Sequence, residues 1–267
     1  MDNAQYRKNV MKTLSIGPAK LGLRQVTRKT PRMNVFNAVV GIATETMELA
    51  KGLSPYLSGA SQLTEPMKIN AFEESGDIGY YVTVAAKFLK VKLPGSGKKS
   101  KLKGMTRTEA VLQMNGLAGD MLDLAKKFMY GPKMVKTGEK TVTKKSVVLD
   151  AIGLKVVEST DAAGKPVYKY QKVTSTVDVM GIDQAATEAL FAEREAKIKD
   201  LLEQFAPLYW AFVYETFGVP PANVFVGNIA KLSQRYGEGY FELSEAEHRD
   251  TDAEIEAMSG AAAAVAA

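Results

Sequence analysis

Two short stretches carry acids at a spacing that can do chemistry. Residues 43–53 read ATETMELAKGL and place Glu45 and Glu48 three apart; residues 72–81 read FEESGDIGYY and place Glu74 and Asp77 three apart. On a helix, positions i and i+3 share a face, so each pair points two carboxylates the same way. A lone pair of this kind usually marks a solvated helix face. Two such helices packed antiparallel would gather four acids into one cluster. Burying unpaired charges is costly, so the cluster must either hold protons or be filled by divalent cations. Hard, oxygen-only ligands favour Mg²⁺, with Mn²⁺ as a substitute, and Mg²⁺ keeps positions open for water and phosphate oxygens. Such a cation lowers the pKa of a water and offsets charge on a leaving phosphate.

The composition narrows the remaining options. Among 267 residues there is no cysteine and one histidine, His248, which lies in an acidic stretch and is expected at the surface. Disulfides, thiolate metal sites and a cysteine nucleophile are therefore excluded, and a His-rich site or a Ser-His-Asp triad has too few parts. The lack of cysteine fits a cytoplasmic protein. No apolar run is long enough to span a membrane, and MDNAQYRKNVMKTLSIG has no long apolar core, so neither a membrane span nor a secretory signal is expected. The net charge of +5 is uneven: residues 1–104 carry a marked excess of Lys and Arg, whereas 242–256 are acidic. A positive field attracts phosphates, on nucleotides or on nucleic acids. LPGSGKKSKLKG is not a phosphate-binding glycine loop, because GxxxxGK[ST] needs Ser or Thr after the lysine and Lys99 follows Lys98.

The acids need helices to position them, and the periodicity supplies these. Residues 1–33 form a basic N-terminal arm, irregular or with a short helix. Residues 34–93 form a first helical hairpin, with helices over 34–53 (Asn34 as its cap) and 67–91. A flexible basic linker follows at 94–105. Residues 106–250 form a second hairpin, with helices at 106–130, 183–217 and 221–235, Pro221 being suited to a first turn. Inside it, β-branched stretches on either side of DAAGK predict a β-hairpin insertion at about 139–180. It could cap the site, mediate oligomerisation or bind another partner. Residues 251–267 read as a flexible tail.

The two hairpins look like copies. GIATETMELAKGL (41–53) lies over GLAGDMLDLAKKF (116–128), so Glu45 and Glu48 meet Asp120 and Asp123. FEESGDIGYY lies over LEQFAPLYWA (202–211), so Glu73, Glu74 and Asp77 meet Glu203, Gln204 and Pro207. The second copy has lost acids, and Gln204 with Pro207 cannot complete an anionic cage.

The order ExxE, 25 residues, ExxD resembles the MazG-like superfamily of all-α nucleoside triphosphate pyrophosphohydrolases. GIATETMEL is similar to that family's first metal helix and AFEESGDIGYY to its second. The ending NVFVGNIAKLSQRYGEGYFELSEAEHRD resembles that of bacteriophage-type members. The resemblance implies a mainly α fold of two tandem MazG-like hairpins, an intrachain pseudo-dimeric bundle. It implies Mg²⁺-dependent hydrolysis of a (deoxy)nucleoside triphosphate to monophosphate and pyrophosphate, for nucleotide-pool control. Glu45, Glu48, Glu74 and Asp77 would be the catalytic metal ligands. Asn228, Lys231, Arg235 and Tyr236 would contact phosphate or sugar. Because the first copy keeps the acids and the second keeps NIAKLSQRY, one competent site would be assembled from both, with Asp120 and Asp123 as relics or secondary ligands. Tyr80, Tyr81 and Trp210 could stack a base, although core packing is their expected role. A homo-oligomer stays open, and nucleic acid is the less expected partner. The alternative is a non-catalytic module on the same fold that binds nucleotide or nucleic acid through its basic half.

Overall fold

A helix forms where apolar residues recur at three and four positions and a capping group closes the ends, and the acid-bearing segments meet both conditions. The computed structural model describes residues 3–14, 31–95, 100–129, 133–151, 154–236, 253–258 and 260. Two compact units result, Met1–Tyr130 with Phe191–Ala267, and Gly131–Leu190.

The first unit is α-helical. Helix α1 is Asn3–Leu14, α2 is Pro31–Gly52, α3 is Ser54–Leu57, α4 is Glu65–Leu89 and α5 is Arg107–Met129. Helix α6 (Gln184–Phe217) begins in the second unit, and α7 (Pro221–Tyr236) follows it. Helix α2 starts earlier than its apolar pattern suggested, with Pro31 at its head and Asn34 inside the first turn rather than capping it. Pro31 lacks the N–H that a first turn leaves unpaired, which makes it the better start. Val35, Ala38, Val39, Ile42, Thr46 and Leu49 form the buried stripe of α2. At the start of α4 the Thr64 hydroxyl accepts from Met67 N, and Lys90 closes the helix in the left-handed conformation (φ 57°). Thr106 and Glu109 cap α5 reciprocally: Glu109 Oε2 accepts from Thr106 N at 2.7 Å, and Thr106 Oγ1 accepts from Glu109 N at 3.2 Å. Gly218 (φ 72°) ends α6, and Pro221 opens α7.

Helix α2 packs on α4 and α5, α4 packs on α7, and α1 lies against both α4 and α7. The core holds Ile42, Leu49, Ile78, Val82, Met114, Phe205, Phe212 and Phe225, all fully buried. The arm and the tail are less loose than the composition implied. Tyr6 and Val10 of α1 are buried, and residues 253–258 form a helical turn whose Glu254 and Met258 are buried. No helix among the described residues is long and apolar enough to cross a membrane.

The second unit is a β-arm. Strand β1 (Met134–Val147) pairs antiparallel with β4 (Tyr170–Ile182), and β2 (Val157–Thr160) pairs with β3 (Pro166–Tyr168). The insertion is therefore longer at both ends than 139–180. At the junction the three chain segments bond in a ring: Val148 N to Lys169 O, Lys169 N to Val156 O, and Val156 N to Val148 O, each at 2.8 Å. Each junction N–H thus finds a partner although three segments meet there.

Candidate functional site

Two glycines set the register of the acids. A Cβ on Gly41 would lie 2.4 Å from the Tyr81 ring, and one on Gly52 would lie 2.1 Å from Asn70 Oδ1. Side chains do not approach that closely, so Gly41 lets α2 close on the Tyr81 ring of α4, while at Gly52 a Cβ would displace the Asn70 side chain. The two contacts define an antiparallel register in which each step up α2 is a step down α4. Glu48 thus lies level with Glu74, and Glu45 level with Asp77. Carboxylate oxygens of Glu45, Glu48 and Glu74 lie within 4.8 Å of one another. Their exposure is graded: Glu48 is exposed, Glu45 is intermediate and Glu74 is buried at 9%. The cluster is open on one side and closed on the other. Asn70, one turn before Glu74, donates Nδ2 to Glu74 Oε1 at 3.0 Å.

Asp77 is held by α7. Asn228 Nδ2 donates to Asp77 Oδ1 at 2.7 Å, and Lys231 Nζ donates to Asp77 Oδ2 at 2.5 Å. Lys231 also lies 3.4 Å from Glu73 Oε1. Glycines again allow the approach: a Cβ on Gly76 would meet Asn228 Cβ at 2.9 Å, and one on Gly79 would meet the Phe225 ring at 2.6 Å. Phe225, Asn228 and Lys231 follow at i, i+3 and i+6, so one stripe of α7 meets α4. The amide of Asn228 is oriented from both ends, because its Oδ1 accepts from the Tyr6 hydroxyl at 3.2 Å. Tyr6 is itself fixed by stacking on Phe225, with ring centroids 4.1 Å apart. The Tyr209 hydroxyl donates to Ser75 O beneath the same turn. Burial, the largest cause in each case, keeps both phenols well above their ordinary range, so they stay donors.

The electrostatics follow from crowding. Burial, then the charges of Asp77 and Glu48, push Glu45 up to about 7, while Lys231 draws it back. Burial, then Glu45, Asp77 and Glu48, push Glu74 up to about 8. A hydrogen bond between the two acids lowers Glu45 and raises Glu74, which puts the shared proton on Glu74. One buried ammonium faces a larger number of acids, so a proton or a cation must supply the balance. The donor set is oxygen only, partly buried and open to water on the Glu48 side, which fits a hard divalent ion such as Mg²⁺ or Mn²⁺.

The sequence-predicted residues divide three ways. Glu45, Glu48, Glu74 and Asp77 come together, and Asn228 and Lys231 reach Asp77 from the far end of the chain. Lys231 is 1% exposed, so its ammonium is an internal counter-ion of the acids rather than a surface phosphate contact, and Asn228, also 1% exposed, is likewise turned inward. Packing on α4 buries that stripe of α7. Arg235 and Tyr236 end α7, and their side chains lie outside the described residues, as does His248. Asp120 and Asp123 are exposed, and Asp123 pairs with Lys127 at 2.7 Å and Lys126 at 3.4 Å. Gln204 is exposed as well. Trp210 is fully buried against Tyr209 and Phe225, a core position, and Tyr81 covers Gly41.

Four participants escaped the sequence reading: Tyr6, Asn70, Glu73 and Tyr209. Asn70 had a signal, one turn before Glu74 on the same face; Tyr6, in a basic arm, had none. Two cavities elsewhere, about 620 Å³ beside Lys101 and Pro207 and about 370 Å³ beside Phe72 and Met258, are lined by none of the four acids. Comparison with known proteins gives no match to a family model, a curated protein or a solved structure.

Proposed function

We propose that the protein is a Mg²⁺-dependent nucleotide pyrophosphohydrolase that converts a (deoxy)nucleoside triphosphate and water to the monophosphate and pyrophosphate. The observation that carries this reading is the convergence of Glu45, Glu48 and Glu74 within 4.8 Å, with two of them raised toward neutrality. These three residues would hold the cation, which supplies positive charge against the phosphates when bound. Glu48 is the exposed member and stands at the entrance. Glu45 and Glu74 would give up their shared proton to a bound cation, so binding should strengthen as pH rises toward 8. Lys231 and Asn228 fix Asp77 against repulsion by its neighbours, so the acids keep their places when the shared proton leaves. The α–β anhydride is the bond broken, and pyrophosphate is the leaving group.

The test is incubation of the protein with each common NTP and dNTP, with and without Mg²⁺, resolving monophosphate, diphosphate and pyrophosphate. Metal-dependent pyrophosphate release, abolished by Glu48→Ala and spared by Asp123→Ala, is the expected outcome. Loss with Asp123→Ala but not with Glu48→Ala would reverse the site assignment. Absence of pyrophosphate from folded protein with every nucleotide would overturn the proposal.

A further inference from the structure

The β-arm has charge and surface that the site does not use. Its strands are exposed along nearly their whole length on both faces. The acids in or beside the β1–β4 pair are engaged at its base and tip, and Glu158 lies on β2, outside that pair. Glu139 and Asp178 both pair with Lys136 at the base. Asp150 accepts from Leu154 N, and Asp161 accepts from Ala163 N and Lys165 N, in turns at the tip. Between them, KTVTKKSV (140–147) and YQKVTSTV (170–177) contain no acid at all. Among the described residues Lys140, Lys144, Lys145 and Lys172 have no ion-pair partner.

The register sharpens the point. Lys145 stands directly opposite Lys172, a like-charge pair that destabilises an isolated ribbon. On the same face Thr143 stands opposite Thr174, their hydroxyls 3.1 Å apart, and Thr141 stands opposite Thr176. Opposed lysines gain stability only when an anion lies between or beside them. Lysine ammoniums and threonine hydroxyls are also groups that bond base edges in a major groove, which is wide enough for a two-stranded ribbon. A-form RNA has a deep, narrow major groove that side chains do not read.

We propose that the β1–β4 ribbon binds duplex DNA, with its Thr141, Thr143, Lys145, Lys172, Thr174 and Thr176 face in the major groove, the threonines at base edges and Lys145 and Lys172 on the phosphates. The inference is independent of nucleotide hydrolysis. It is tested with the full chain by fluorescence anisotropy on a labelled DNA duplex across NaCl concentrations, against a single strand and an RNA duplex of the same sequence. Two lysine contacts give log K falling against log[NaCl] with a slope of about −2. Lys145→Gln with Lys172→Gln brings the slope close to zero and weakens binding roughly tenfold, with an unchanged circular dichroism spectrum and a melting temperature no lower than the parent's. Three results would each overturn the proposal: no salt-dependent retention, a slope untouched by the paired substitution, or equal retention of the RNA duplex. Loss of self-association in the variant, without DNA binding by the parent, would assign the ribbon to a second copy of the chain instead.

Discussion

Replacing Glu74 with glutamine tests whether the acid cluster holds a proton in the metal-free protein. Glu45 is raised to about 7 and Glu74 to about 8, from ordinary carboxyl values of 4.5. A carboxyl raised on folding binds its proton more tightly in the native state. Its stabilising contribution is therefore complete below about pH 4.5 and is lost as pH climbs through 7 and 8. Each native proton retained above the unfolded pKa changes stability by about 1.4 kcal/mol per pH unit. The two acids act as a pair, so one shared proton is counted. From pH 5.5 to 7.5 that gives about 2.7 kcal/mol, which the open, watered side of the cluster reduces to about 1.5 kcal/mol. For a chain of this size the change is about 3–6 °C in melting temperature. Glutamine keeps an oxygen for Asn70 and an N–H for Glu45, while removing the titration. Thermal unfolding in EDTA from pH 5 to 9 should show the parent falling by that amount relative to Glu74→Gln. Saturating Mg²⁺ should restore the parent above pH 7 and leave the variant unmoved. Parallel curves, or equal stabilisation of both by Mg²⁺, would refute the shared proton and the metal ligation together.

Other consequences follow from the supporting contacts. Gly52→Ala forces Asn70 off Glu74 and should weaken Mn²⁺ binding about tenfold, by titration calorimetry, the low end of second-sphere effects; in an Asn70→Ala background the same change should cost almost nothing. Lys231→Met leaves Asp77 and Glu73 without their buried cation and should destabilise by about 3 kcal/mol, read by urea unfolding, with part of the loss recovered in Mg²⁺. Tyr6→Phe keeps the stack on Phe225 but removes the hydroxyl from Asn228, and a loss of about 1 kcal/mol is expected.

The local chemistry was legible and the long-range chemistry was not, for a physical reason. Glu45 with Glu48 and Glu74 with Asp77 were visible because an i, i+3 pair is a property of one helix and needs no partner to be read. The helices themselves were visible for the same reason: α5 and α6 lie within a residue of where their periodicity puts them. What a helix face meets depends on how two helices cross, and that is set by residues without side chains. Gly52, Gly76 and Gly79 carry no pattern in the sequence, yet they let Asn70 and Asn228 sit at the carboxylates. Tyr6 stands 222 residues from Asn228, and Lys231 stands 154 from Asp77, distances no local period spans. Lys231, from its place in NIAKLSQRY, reads as a phosphate or sugar contact; the three acid neighbours on α2 and α4 that make its buried ammonium favourable lie beyond any local pattern.

The same logic separates the acids of α5 from those of α2. Helix α5 repeats the pattern of α2, with Asp120 and Asp123 at the positions of Glu45 and Glu48. Its acids are nevertheless exposed, and Asp123 is drawn below the ordinary carboxylate range by hydrogen bonds and charge from Lys127. A carboxylate already neutralised by a neighbouring lysine in water gains little from a cation. Glu45 and Glu74 are in the opposite condition: half-sunk, crowded by acids of their own sign, and held near neutrality by a proton. A divalent ion entering there relieves repulsion that the fold itself maintains. A lysine at Thr44, one turn before Glu48, would lower that repulsion and should weaken metal binding while stabilising the metal-free protein at pH 8. Lys231 pairs with Asp77 and Glu73, both outside the three converging carboxylates, and leaves those three to crowd one another.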